Sequence, residues 1–195
     1  MDNISVLSSI DKKICDILGN DIHNDDFMIP TYVSKNFSKK ILVLSGGGIR
    51  GISFIGALCA LHDINILQSI ETFAGTSVGA LILFLINIGY SPHDLYEFIK
   101  TIDLNKLKSI SIPLFLNSFG LDSGDKIINA LKKFMKLRKI NYDITFEQLY
   151  NITKKTLFIT SVNINEQHIE YFSHISHPKV SVLKTVRMSI SIPFV

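Results

Sequence analysis

Few folds can accommodate the stretch from Ile41 to Gly79. An apolar run, Ile41-Leu42-Val43-Leu44, leads at once into Ser45 and the glycine-rich Gly46-Gly47-Gly48-Ile49-Arg50-Gly51. A second passage, Phe73-Ala74, delivers Gly75-Thr76-Ser77-Val78-Gly79. Each half reads as a buried strand, a tight glycine turn and a helix. The second half fits Gly-x-Ser-x-Gly, the sharp turn that exposes a serine hydroxyl between a strand and a helix. Of Gly75 and Gly79, one relieves crowding at the strained serine and the other lets helix and strand approach closely. The first half offers backbone N–H groups, unobstructed by side chains, at a helix N-terminus, where negatively charged oxygen is favoured. A nucleophile beside an anion hole points to acyl transfer.

The rest of the chain is consistent with one α/β domain. Its 195 residues, 47% of them hydrophobic, suffice for one sizeable core and hardly for two. The mean hydropathy of +0.30 suits a sheet covered on both faces. A net charge of +3 helps at an anionic lipid surface but is too small to argue for nucleic acid, and no basic run is interleaved with aromatics. Cys15 and Cys59 fit a reducing compartment better than a disulfide framework. Residues 1–18 carry Asp2, Asp11, Lys12, Lys13 and Asp16, which interrupt any secretory signal. The most lipid-like segment, Val78 to Ile88, has 11 residues against the ~20 needed to cross a bilayer, and reads as the buried helix behind the serine. The expectation is an intracellular protein, soluble or peripherally membrane-associated.

Along the chain, Ile4, Leu7, Ile10, Ile14, Ile17 and Leu18 stand at helical spacing, with Gly19 as a stop. A polar linker follows to residue 39, and its His23, Asp25 and Asp26 read as a solvated loop rather than metal ligands. Beyond the glycine turn, Ile52, Ile55, Leu58, Cys59 and Leu61 make the apolar side of a helix ending near His62-Asp63. Ser91-Pro92 starts another helix, running through Lys100. Residues 102–120 are irregular, and Leu114-Phe115-Leu116 is open to two readings, a lipid-contacting lid or a packed connection. Ser123-Gly124-Asp125 begins a helix with Ile127, Ile128, Leu131, Phe134 and Leu137 on one face. Thr145 with Gln148 three residues on predicts a capping box. Thr156–Val162 and Gln167–Phe172 are strand candidates, and Val180–Met188 suggests a final helix. Strands alternating with helices imply a parallel or mostly parallel sheet.

Together these residues resemble the patatin-like phospholipases, in which a strand leads into Gly-Gly-Gly-x-Arg/Lys-Gly and Gly-Thr-Ser-x-Gly follows one helix and one strand later. Here 29 residues (77 − 48) separate Gly48 from Ser77. Thr145 to Tyr150, then Leu157 to Ser161, is similar to the family's next helix and strand, and Arg187-Met188-Ser189-Ile190-Ser191-Ile192-Pro193 to its Ser-x-Ser-x-Pro segment. The resemblance implies a three-layer α/β/α sandwich over residues 40–195, after an N-terminal helix and linker over 1–39. It implies a lipid acyl hydrolase of phospholipase A type, acting on phospholipid or another acyl lipid at a membrane surface, with no cofactor and no metal. Ser77 becomes the nucleophile and the amides of Gly46, Gly47 and Gly48 the oxyanion hole. Arg50 anchors the loop through hydrogen bonds, and Gly51 permits close packing of the helix that follows. The family's general base is an aspartate of an Asp-Gly-Gly or Asp-Gly-Ala motif some tens of residues after the Ser-x-Ser-x-Pro segment. The sequence contains no Asp-Gly and Val195 comes two residues after Pro193, so the expected aspartate lies past Val195 and the domain reads as truncated there. Asp103, Asp122, Asp125 and Asp143 read as caps and turn residues.

Three competing readings make distinct demands. In a dinucleotide-binding module, Gly46-x-Gly48-x-x-Gly51 would cradle a pyrophosphate and Glu71 would bind ribose from the end of the second strand. In a Ser-Asp-His α/β-hydrolase, His168, His174 or His177 would activate Ser77. A non-catalytic lipid- or protein-binding remnant of the patatin fold would need no base at all.

Overall fold

The computed structural model describes residues 40–101 and 125–191. The N-terminal helix and linker, Cys15, Asp103, Asp122 and the apolar loop at 114–116 lie outside the described residues.

Among the described residues four short strands form the sheet: β1 (Ile41–Leu44), β2 (Thr72–Thr76), β3 (Thr156–Asn163) and β4 (His168–Phe172). They lie side by side in chain order, β1, β2 and β3 parallel and β4 antiparallel to β3. The parallel pairs require long crossovers, which carry the helices, whereas β3 and β4 are joined by a tight turn. That turn is set by Gln167, at φ 54°, and by Asn163, whose side-chain oxygen accepts from the Glu166 N–H at 3.2 Å.

Among the described residues six α-helices accompany the strands. Gly48–Gly51 forms a turn of 3-10 helix that runs into α1 (Ile52–Asp63), and α2 (Val78–Asn87) begins directly after Ser77. Apolar on nearly every side, α2 is the most buried helix, with Ala80, Leu83 and Phe84 fully enclosed. α3 (Pro92–Thr101) has its entry fixed by a reciprocal cap: the Asp94 N–H donates to Ser91 Oγ (3.0 Å) and the Ser91 N–H to the Asp94 carboxylate (2.9 Å). α4 is Asp125–Leu137. α5 (Phe146–Thr153) starts with the expected capping box between Thr145 and Gln148, and α6 is Val182–Ser189.

The core lies on one side of the sheet. Phe73, Leu157, Ile159 and Phe172 are buried on the face that α2 packs against. Strands running parallel in the order 1-2-3 through right-handed crossovers put their connecting helices on one face. On the other face Ile41, Val43, Thr72, Ala74, Thr76, Phe158, Thr160, Val162, Ile169 and Tyr171 are all at least partly accessible. The expectation of a buried first strand is therefore corrected. β1 is an edge strand among the described residues, and Ile41 and Val43 are 63% and 67% exposed. The described elements make the expected α/β fold, a mostly parallel sheet with helices packed on it. The predicted apolar face of α4 also needs adjustment, because Leu137 is solvent-facing at its last position while Met135 is fully buried. No helix among the described residues is long and apolar enough to cross a membrane.

Candidate active site

At the carboxyl end of β2 the chain makes its sharpest reversal. Ser77 has φ 54° and ψ −124°, a conformation that a residue with a Cβ adopts only under constraint, at a cost of about 1–3 kcal/mol. Two glycines make the reversal sterically feasible. A Cβ on Gly75 would come within 2.6 Å of the Ala80 backbone, and one on Gly79 within 2.5 Å of the Leu44 carbonyl oxygen. Both glycines therefore serve close approach, of α2 to β2 and of α2 to the end of β1. Neither has a positive φ, so the conformational strain falls on Ser77 itself.

Ser77 is also the N-cap of α2. Its carbonyl accepts the first intrahelical bond from the Leu81 N–H (3.1 Å), and no acidic residue occupies the first turn. The N-terminal amides and the positive end of the helix dipole thus meet at the half-buried serine, with no carboxylate in the first turn of the helix to neutralise them. The Ser77 hydroxyl has no hydrogen-bond partner among the described residues, while its N–H donates to Ser189 Oγ at 2.8 Å. The Ser-x-Ser-x-Pro segment thereby acquires a structural role that its sequence did not disclose: the last residue of α6 fixes the backbone of the elbow. Ser191, two residues on, hydrogen-bonds the Arg187 carbonyl at 2.8 Å and is contacted by the Arg187 guanidinium.

The glycine turn lies against the serine. A Cβ on Gly46 would sit 3.5 Å from the Cβ of Ser77. Gly48 has φ +52° and open space where a side chain would be, so this position requires glycine for its backbone conformation. A Cβ on Gly51 would strike the Val78 side chain at 2.5 Å, so Gly51 admits the first turn of α2 rather than the packing of its own helix. The anchoring expected of the Arg50 side chain is supplied by its main chain. Its N–H donates to the Gly47 carbonyl (3.0 Å) and its carbonyl accepts from Ser53 Oγ (2.8 Å), while the guanidinium is exposed.

Cavities flank the elbow on two sides. One, of about 360 Å³, runs from Gly48, Ile49 and Val78 inward between the helices and is walled by Leu85, Leu131 and Phe134. The other, of about 380 Å³, opens on the accessible sheet face and is bordered by Thr76, Thr160, Tyr171 and Ser189. A pocket of this size lined by apolar side chains suits a hydrocarbon ligand.

Among the described residues the alternative constellations are not assembled. Glu71 precedes β2 and contacts Lys40, at the end of the strand opposite the glycine turn, so no ribose-binding acid meets that turn. His168 lies beside Glu166 and Glu170, His174 stacks on Tyr150 with ring centroids 3.8 Å apart, and His177 packs on Phe172. None of the three is hydrogen-bonded to Ser77. Asp143 is exposed in the turn before α5, in a separate pocket with Lys184 and Arg187, and Asp125 is the first residue of α4.

The chain is 36% identical over 162 residues to "Probable lipid hydrolase 463L" of Invertebrate iridescent virus 6, covering 80% of this chain and 54% of that protein. It thus spans about half the length of that relative. It is 26% identical over 174 residues to "Triacylglycerol lipase 4" of Saccharomyces cerevisiae, covering 82% of this chain and 18% of the lipase. Among solved structures, ExoU from the type III secretion system of Pseudomonas aeruginosa, in complex with SpcU, superposes with a TM-score of 0.58 at 21% identity, over 80% of this chain and 39% of that one. That likeness establishes a shared fold. The model of the patatin-like phospholipase family matches residues 42–195, spanning the glycine turn, the serine elbow and the segment of Ser189, and the chain belongs to that family.

Proposed function

We propose that the protein is a lipid acyl hydrolase, a phospholipase A-type esterase in which Ser77 is the nucleophile. The observation that carries this reading is the strained Ser77 backbone at the N-terminus of α2, with no partner for its hydroxyl among the described residues and the glycine turn against its Cβ. A serine hydroxyl attacks an ester only when a base removes its proton. In the proposed Ser–Asp dyad an aspartate carboxylate, supplied from outside the described residues, takes that proton as Ser77 Oγ bonds to the acyl carbon. The carbonyl oxygen becomes an alkoxide, stabilised by the amides of Gly46, Gly47 and Gly48 and by the positive end of α2. Collapse expels the alcohol of the lipid, which takes the proton from the aspartic acid and leaves an acyl-serine. Water, deprotonated by the same carboxylate, then releases the fatty acid and restores Ser77.

The substrate class is supported by the cavity beside Gly48 and Val78, whose walls are aliphatic and aromatic. Ile49 and Ile52, at its mouth, are 57% and 38% exposed. Apolar side chains at the rim of an apolar cavity favour an acyl chain drawn from a lipid surface. The relatives named as a lipid hydrolase and a triacylglycerol lipase support an acyl-lipid substrate in general, with phospholipid proposed as the principal one.

The test is turnover by the purified protein on phosphatidylcholine vesicles, on a triacylglycerol emulsion and on a soluble short-chain ester, each with Ser77→Ala beside it. Ser77→Ala is expected to stay folded and to lose roughly 10⁴-fold or more in kcat. Hydrolysis by Ser77→Ala at the wild-type rate would remove Ser77 from the mechanism. Absence of turnover on all three by the wild-type protein would favour the non-catalytic binding reading.

A further inference from the structure

A second constellation of chemically capable side chains lies away from the serine. α1 begins at the glycine turn beside Ser77 and ends with His62 and Asp63, twelve residues along. His93 occupies the first turn of α3. His93 Nε2 stands 2.7 Å from Asp63 Oδ1, and His62 Nδ1 stands 3.6 Å from the same oxygen. One ligand atom from each residue lies within 4.8 Å of the others. The two imidazole rings meet edge to face at 80°, with centroids 5.4 Å apart. All three side chains are a little under half exposed.

We propose that His62, Asp63 and His93 form a Zn²⁺ site that clasps the end of α1 to the start of α3. Zn²⁺ binds imidazole nitrogen at about 2.0–2.1 Å and carboxylate oxygen at about 2.0–2.2 Å in a tetrahedron, which sets neighbouring ligand atoms about 3.4 Å apart. The two separations from Asp63, 2.7 Å and 3.6 Å, fall on either side of that spacing and the remaining His62–His93 pair lies within 4.8 Å, so adjustment of these exposed side chains would close the site. Two nitrogens and one oxygen match the preference of Zn²⁺, whereas Mg²⁺ and Ca²⁺ take oxygen ligands. Three protein ligands leave the fourth position to solvent. The carboxylate is already oriented by its hydrogen bond to His93, so part of the ordering needed to bind metal is present in the apo fold. The cluster sits where the two helices come together, and both also wall the apolar cavity, so an ion here braces that wall.

The site is independent of the proposed esterase chemistry, and its test does not use activity. Chelator-stripped protein is titrated with ZnCl₂ by calorimetry, and its melting is followed with Zn²⁺ or Mg²⁺ present. One equivalent of Zn²⁺ is expected to bind and to raise Tm, with Mg²⁺ without effect. His62→Ala and His93→Ala are each expected to weaken binding at least about tenfold, and the double variant to abolish both binding and the Tm shift. These positions are exposed, so the variants should melt like the metal-free wild type. Co²⁺ bound to the wild type should give the visible absorption of a tetrahedral centre, lost in the double variant. Failure of the wild type to take up Zn²⁺, or equal uptake by the double variant, would overturn the proposal. The second result would assign the metal to other groups, such as Cys59 or the histidines around Glu170.

Discussion

At Ser77 a single residue carries both backbone strain and a helix cap, and its hydroxyl makes no cap hydrogen bond. Such a conformation persists only where its surroundings hold it, and the hydrogen bond from the Ser77 N–H to Ser189 Oγ is one of the restraints. Ser189→Ala leaves a half-buried N–H without its acceptor and is expected to cost about 1–3 kcal/mol. If Ser189 positions the nucleophile, kcat should fall while KM stays near its wild-type value, and Ser189→Thr should recover part of the loss. An unchanged kcat in a folded Ser189→Ala protein would make the contact purely structural. Gly48 is a different case, because nothing crowds it and only its φ of +52° excludes other residues. Gly48→Val should therefore cost about 1–2 kcal/mol in stability through the left-handed backbone. It should also lower kcat by about 10²–10³ if the turn supplies an oxyanion donor. Gly48→Asn, which tolerates the left-handed region better, should lie between Val and wild type on both measures. Normal turnover by folded Gly48→Val would exclude the turn from the oxyanion hole.

The elements were legible wherever their ends carry chemical punctuation. Thr145 with Gln148, and Ser91 with Pro92, predicted helix starts that the structure reproduces with reciprocal side-chain bonds. The glycine turn, the serine elbow and the buried helix after it were legible for the same reason, because Gly75 and Gly79 leave no room for a side chain. The exposure of β1 was not legible, since a run of four apolar residues reads alike whether one face or both are covered. The bond from Ser77 to Ser189 spans 112 residues, a distance over which local pattern says nothing. Glycines of different function should separate by mutation. Gly79→Ala drives a methyl group into the carbonyls of Leu44 and Ser45 and should destabilise the fold severely. Gly56, inside α1 with open space around it, should accept alanine and gain about 0.5–1 kcal/mol. Denaturant midpoints measure both, and equal midpoints would show that the close approach of α2 to β1 is not a constraint.

Across the described residues, the contrast between the two faces of the sheet dominates. One holds the core, while the other presents Ile41, Val43, Val162, Ile169 and Tyr171 to solvent. Apolar patches of this kind promote dye binding and association. The 195-residue protein is expected to bind ANS and to self-associate as its concentration rises. Val43→Thr with Ile169→Thr should reduce both while lowering stability by less than about 1 kcal/mol. A monodisperse wild-type protein that leaves ANS dark would contradict this.

The proposed function rests on Ser77 as the acyl-accepting residue, and covalent labelling tests that proposal most directly. The protein is incubated with a fluorophosphonate, digested, and the adduct located by mass spectrometry, with ester hydrolysis followed in parallel. One adduct is expected, on the peptide containing Ser77, with hydrolysis lost in proportion to labelling and no adduct in Ser77→Ala. Hydrolysis that continues while Ser77 is fully labelled, or an adduct on another residue that abolishes hydrolysis while Ser77 stays unmodified, would contradict the assignment.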